Sequence, residues 1–149
     1  MTIGVVLFGH GARDPRWRDT IDALAARLAA REPGLPVRAA FLEFMRPDLG
    51  EAVASLADEG VREVVVAPVF LAAGGHVLRD LPDRLAQIAA THPGLAVRVE
   101  PALGSLPAVL DAMAAHCVEV VSRATPVGDA RSAAADGAST GVHKGVDEK

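Results

Sequence analysis

Ile3-Gly4-Val5-Val6-Leu7-Phe8-Gly9-His10-Gly11 is an almost unbroken apolar run that stops at a histidine set between glycines. Such a run, with no polar alternation, reads as a strand buried on both faces, as the strands of parallel sheets are. A helical pattern follows. Pro15 can open a helix, and Ile21, Leu24, Ala25 and Leu28 recur at the spacing that places them on one face. Glu32-Pro33-Gly34 stops that helix at about Arg31. The unit then repeats. Val37 to Glu43 reads as a second strand, and Pro47-Asp48 starts a helix with Leu49, Ala52, Val53 and Leu56 inward, ending at Gly60. Glu63 to Phe70 is the third and most hydrophobic strand, followed by a helix from about His76 to Thr91. Pro82 fits that helix only in its first turn, or if the helix starts later. Leu95 to Glu100 is a fourth strand, and Ser105 to about Arg123 a last helix.

Strands alternating with helices predict an α/β domain with a parallel sheet, right-handed crossovers and helices on both faces. The expected order is 2-1-3-4, that of flavodoxin-like sheets, with a crevice where the order reverses between strands 1 and 3. The domain is expected to span 1–123. From 124 to 149 the composition shifts to Ala, Ser, Gly, Asp and Thr without periodicity, which predicts a disordered tail.

Composition narrows the function. Half of the residues are apolar, and only 3% are aromatic, so the core must be aliphatic. The net charge of -4 argues against a general nucleic-acid binder, which would carry a basic patch. The basic residues are nearly all Arg, a side chain suited to carboxylates and phosphates, although a coding bias would produce the same excess. The lone Cys117 excludes an internal disulfide and, on an apolar helical pattern, is expected to be a buried thiol. No apolar stretch is long enough to span a bilayer, and the N-terminus lacks the basic region of a signal peptide; the cytoplasm is the expected compartment.

The chemistry concentrates at the strand ends. His10 leaves strand 1, His76 follows strand 3 in Phe70-Leu71-Ala72-Ala73-Gly74-Gly75-His76, and Glu43 ends strand 2. In the expected topology these three converge on one rim, which suggests a metal or proton-transfer site. A satisfied structural histidine is the simpler account of either His alone, and the convergence of two His with Glu43 favours a site over it. Gly9, Gly11, Gly74 and Gly75 clear space around the histidines, or simply supply turns. Arg13, Arg46 and Arg79 lie near the same loops and could bind anionic groups; as solvated surface charges they would need no such role. His92, His116 and His143 are read as incidental, and Glu100, at the end of an edge strand, is a second-rank candidate.

Gly9-His10-Gly11-Ala12-Arg13-Asp14-Pro15, Phe41-Leu42-Glu43 and Pro68-Val69-Phe70-Leu71-Ala72-Ala73-Gly74-Gly75-His76-Val77 resemble the small single-domain sirohydrochlorin chelatases. These are the class II chelatases of cobalamin and sirohaem synthesis. The resemblance covers about residues 3 to 123 and is most specific around Gly75-His76, running on to Asp80-Leu81-Pro82. It implies a lyase that inserts cobalt(II) or iron(II) into sirohydrochlorin, with His10 and His76 as metal-site histidines and Glu43 as their acidic partner. Gly11, Gly75 and the three arginines would then face the substrate's carboxylates. The divalent metal would be a substrate, and no organic cofactor would be needed. With one copy of each motif, the chain resembles the short form, which pairs as a homodimer. It departs from the pattern at Ala12, where the family often has Ser, so one hydroxyl contact is missing.

Two rivals remain at this stage. A histidine phosphatase also carries a His beside a Gly at a strand end, but requires an Arg just before the His, where this chain has Gly9. A non-catalytic metal or tetrapyrrole carrier would use the same histidine pair.

Overall fold

The computed structural model describes residues 2–72 and 74–124, apart from the side chains of 75–78. The chain divides into two units, Met1–Ala114 and Ala115–Lys149. The first unit holds the sheet. Strands β1 (Ile3–Gly9), β2 (Val37–Phe41), β3 (Glu63–Pro68) and β4 (Ala96–Val99) are all parallel and lie in the order β2-β1-β3-β4. The expected flavodoxin-like order and the reversal between β1 and β3 are both present.

Alternation along β1 sorts the core into two layers. Val6 and Phe8 point to one face, with Val64 and Val66 of β3, and are covered by α2 (Leu49–Asp58) through Leu49, Ala52, Val53 and Leu56. Leu81 of α3 (Gly75–Thr91) joins the same cluster, with Leu85 and Ile88 packed against it. Leu7 points to the opposite face, where Ile21 of α1 (Asp19–Arg31) meets Phe41. Helices therefore cover both faces, as right-handed crossovers require.

Several boundaries move from their expected places. Pro15 opens a short 3₁₀ turn, Pro15–Arg18, before α1 proper begins at Asp19. The N-cap Asp48 side chain accepts from the Glu51 N–H while Glu51 reaches back to the Asp48 N–H, so a capping box fixes the start of α2. Pro82 lies well inside α3 rather than in its first turn. An interior proline costs about 3 kcal/mol of helix stability; burial of Leu81 and packing of Leu85 and Ile88 offset it. β2 ends at Phe41, two residues short of Glu43.

The last helix, α4, runs from Pro107 to Arg123 and buries none of its residues. The second unit, as far as it is described, is the end of that helix from Ala115 and the following Ala124, and each residue there is exposed. Cys117 is exposed as well, which corrects the expectation of a buried thiol. An apolar helical stripe marks where a helix could pack but does not itself supply the packing surface. The tail expected from 124 onward lies outside the described residues beyond Ala124. Among the described residues, no helix is long and apolar enough to cross a membrane.

Candidate functional site

The site is built where β1 runs out. Beyond the last β1–β2 pair, Gly9 with Phe41, the two chains stay bonded for two more residues. The Leu42 N–H donates to the Gly9 carbonyl at 2.9 Å, and the Glu43 N–H donates to the His10 carbonyl at 3.1 Å. This extension carries Glu43 alongside His10, although neither lies in a strand. The side chains then meet, with His10 Nδ1 and Glu43 Oε1 3.4 Å apart and each about half exposed.

Two backbone features hold the pair. Gly11 has φ +86°, and a Cβ there would come within 1.9 Å of the Glu43 carbonyl oxygen. Only glycine allows this close approach. Phe44 follows with φ +61°, an uncommon conformation for a bulky residue, while the Met45 N–H donates to the Glu43 carbonyl at 2.8 Å. The chain thus doubles back at Glu43. The guanidinium of Arg13 sits 4.9 Å from the centroid of the exposed Phe44 ring, in cation–π range.

β3 supplies the other side of the rim. The Val69 N–H donates to the Phe8 carbonyl at 2.8 Å, extending the β1–β3 ladder as well. Phe70 then packs edge-on against Phe8 at 5.9 Å and against the His10 ring at 6.4 Å. Gly74 is the N-cap of α3, so Gly75 and His76 stand in the helix's first turn, after the strand that neighbours β1. The side chain of His76 lies outside the described residues. Among the described residues, no group of three or more His, Cys, Asp or Glu could hold a metal ion.

The arginines differ in availability. Arg46 is engaged by Asp48 at 2.8 Å and Glu51 at 2.9 Å, a use the sequence reading did not foresee. Arg13 stays beside the rim over Phe44, and Arg79 is exposed in α3. Glu100 is held by Arg98, which also pairs with Glu63. His92 is bonded within its own helix end, to the Ile88 carbonyl, and His116 is exposed in α4. His143 lies outside the described residues.

Sequence reasoning passed over the cleft of about 760 Å³ that opens beside His10 on the α1 side of the sheet. Its lining includes Asp14, Trp17, Phe70 and Leu71. The Arg16 guanidinium beside Asp14 holds that carboxyl below the usual carboxylate range. The available signal was Trp17, the chain's single tryptophan, placed just beyond the glycine-rich loop.

Comparison with known proteins bears on this geometry. The CbiX family model matches residues 4–120. The sirohydrochlorin cobaltochelatase of Methanococcoides burtonii is 36% identical over 83 residues, which are 56% of this chain and 63% of that protein. The enzyme of the same name from Methanothermobacter thermautotrophicus is 41% identical over 83 residues, 56% of this chain and 57% of its own. The match therefore spans less than two thirds of either relative. A crystal structure of a CbiX protein from Marinobacter aquaeolei VT8, assigned to cobalamin (vitamin B12) biosynthesis, superposes with a TM-score of 0.72 at 29% identity, over 82% of this chain and 99% of that one. The sirohydrochlorin chelatase SirB from Bacillus subtilis subspecies spizizenii, in complex with cobalt, has the same fold, with a TM-score of 0.69 at 20% identity over 80% of this chain and 51% of that one.

Proposed function

The chain belongs to the CbiX family, and on that footing we propose that it is a sirohydrochlorin chelatase. It inserts cobalt or iron, as a divalent ion, into the macrocycle, and it acts in the cytoplasm through a domain spanning 1–123. The observation that carries this reading is the His10–Glu43 pair at the carboxyl rim of the sheet, beside an open cleft. Ligands of open α/β sheets bind at such switch points.

Insertion asks for two things. The metal must exchange water for ring nitrogens, and the ring must lose two pyrrole protons. A neutral imidazole can hold a divalent metal or accept a proton, but not both at once. Nδ1 of His10 faces Glu43, which leaves Nε2 for the metal. A carboxylate behind a metal-binding imidazole fixes its orientation and raises its basicity. Glu43 is thus read as the positioning partner of His10 and a station for the departing proton. His76, in the first turn of α3, is assigned as the second metal-site histidine. Arg13 and Arg79 are assigned to the substrate's carboxylates, along with the backbone at Gly11 and Gly75. Arg46 belongs to this set only if its bonds to Asp48 and Glu51 give way.

Turnover is the test. Purified protein given sirohydrochlorin and cobalt(II) should metallate many equivalents of the macrocycle, followed by absorbance. Stoichiometric binding without turnover would assign the carrier role instead. Glu43→Gln keeps the shape and removes the charge, and it should slow insertion by about tenfold to a hundredfold, as loss of a partner behind a metal ligand does. An unchanged rate would make Glu43 a structural residue.

The working unit is read as a homodimer with the two carboxyl rims facing. Binding sites usually bury most of their ligand, and one open rim leaves a flat macrocycle half in water. The exposed Leu71 and Phe44 and the half-buried Met45 would lie at that interface. Sedimentation at micromolar concentration should give a dimer. A species that stays monomeric with sirohydrochlorin and turns over normally would refute the arrangement.

A further inference from the structure

Trp17 is the residue that the proposed function leaves unexplained. It is the largest side chain in the sequence and the only tryptophan, and it is 63% exposed. A single exposed tryptophan is ordinary, but the backbone that carries this one is held in place. The 3₁₀ turn Pro15–Arg18 that carries it is capped by Asp14, whose carboxylate accepts from the Arg16 N–H at 3.0 Å. The Trp17 N–H donates to the Asp14 carbonyl at 3.1 Å, and the Arg16 side chain grips the Asp14 carboxylate a second time. With the turn already fixed, binding has only the indole's own rotamer left to order.

Trp17 lines the same cleft as His10. The rest of that lining is largely apolar, with Ile21 and Phe41 from the core layer under α1 and Phe70 and Leu71 from the rim. Its volume, about 760 Å³, falls within the usual range of small-molecule sites. An apolar cleft with an exposed indole on its wall and an imidazole in its lining suits a flat conjugated ring whose centre must meet a metal. Aromatic faces attract one another in offset stacks, beyond the area they bury.

We propose that Trp17 stacks on the ring face of the tetrapyrrole, so that the α1-side cleft holds the macrocycle while the metal approaches from His10. The assignment rests on the chelatase reading and adds a binding residue to it. Trp17 touches the ring and takes no part in proton or metal transfer.

The chain contains no tyrosine, so its ultraviolet emission reports Trp17 alone. Titration of the full chain with metal-free sirohydrochlorin should quench that emission saturably, beyond the inner-filter loss measured with free tryptophan amide. Trp17→Ala should raise KM for the macrocycle about tenfold and change kcat little. Trp17→Phe, which keeps an aromatic face, should recover most of the loss. Circular dichroism checks that each variant folds. Turnover by the wild type with no quenching at saturating substrate would overturn the stacking assignment and leave the chelatase reading intact. So would an unchanged KM in Trp17→Ala. Quenching without turnover would assign the carrier role, and the stack would then stand only if Trp17→Ala bound the ring more weakly than Trp17→Phe, followed by the ring's own absorbance. The absence of both would refute both.

Discussion

His10→Ala and His76→Ala are each expected to lower the rate of metal insertion by at least about a hundredfold, in line with what positioned acid–base and ligand groups contribute, with the fold intact. His10 is about half exposed, and its ring contacts are Glu43 and the edge of Phe70. Removing it therefore opens no core cavity, and circular dichroism and the melting temperature should barely move. The two variants separate the roles on either side of the crevice. If both histidines hold the metal, either change weakens binding of cobalt(II) to the protein alone, measured by calorimetry. If His76 serves only as a proton acceptor, His76→Ala slows insertion but leaves that binding unchanged. Near-normal insertion rates in both variants would remove the metal site from this rim.

Gly11→Ala should abolish activity by a different route. The added Cβ would fall 1.9 Å from the Glu43 carbonyl oxygen, at a residue whose φ of +86° already disfavours a side chain. The obstructing atom belongs to the backbone, so no rotamer change relieves the clash. The two bonds that extend β1 beside β2 would have to part, from Gly9 to Leu42 and from His10 to Glu43. A loss of about 1–3 kcal/mol in stability is expected, typical of strain stored at a functional turn, together with loss of the His10–Glu43 contact. The core layer under α2 and α3 is remote from the change and should keep a cooperative transition. Gly34→Ala is the matched control. Gly34 also has positive φ, +91°, but nothing lies within 4 Å of its would-be Cβ. It should lose about 1 kcal/mol and keep its activity. Equal activity losses in the two variants would mean that positive φ matters, and not the closeness of Gly11 to Glu43.

Much of this is legible in the sequence, and the reasons are local. Ile3 to Phe8 is apolar at nearly every position, and only a strand covered on both faces needs that. Leu49, Ala52, Val53 and Leu56 repeat at helical spacing behind Pro47-Asp48, so the start of α2 was legible to about a residue. Once the elements alternate, the handedness of crossovers leaves few possible topologies. That is why the chain order alone already pointed His10 and Glu43 to one rim.

The rest was decided at a distance. β2 was expected to reach Glu43 but stops at Phe41, because the chain turns back through Phe44 in a conformation no side chain announces. Pro82 sits inside α3 because apolar contacts with the sheet outweigh a local penalty. Cys117 lies on an apolar pattern and is exposed, since a pattern states what a face could bury but not what it meets. Arg46 was open to reading as an anion binder or as a solvated charge, and Asp48 and Glu51 hold it, carboxylates that also serve the helix cap. Trp17 lines the cleft beside His10 only because the folded turn brings it to the residues that follow β3. The sequence by itself determined the elements, their order and the two histidines worth testing, because periodicity, caps and crossover handedness act over a few residues or through general rules. The tertiary structure decided which groups are paired, which are free and what surrounds His10, because contacts between segments far apart in the chain depend on register and close packing, which local patterns do not encode.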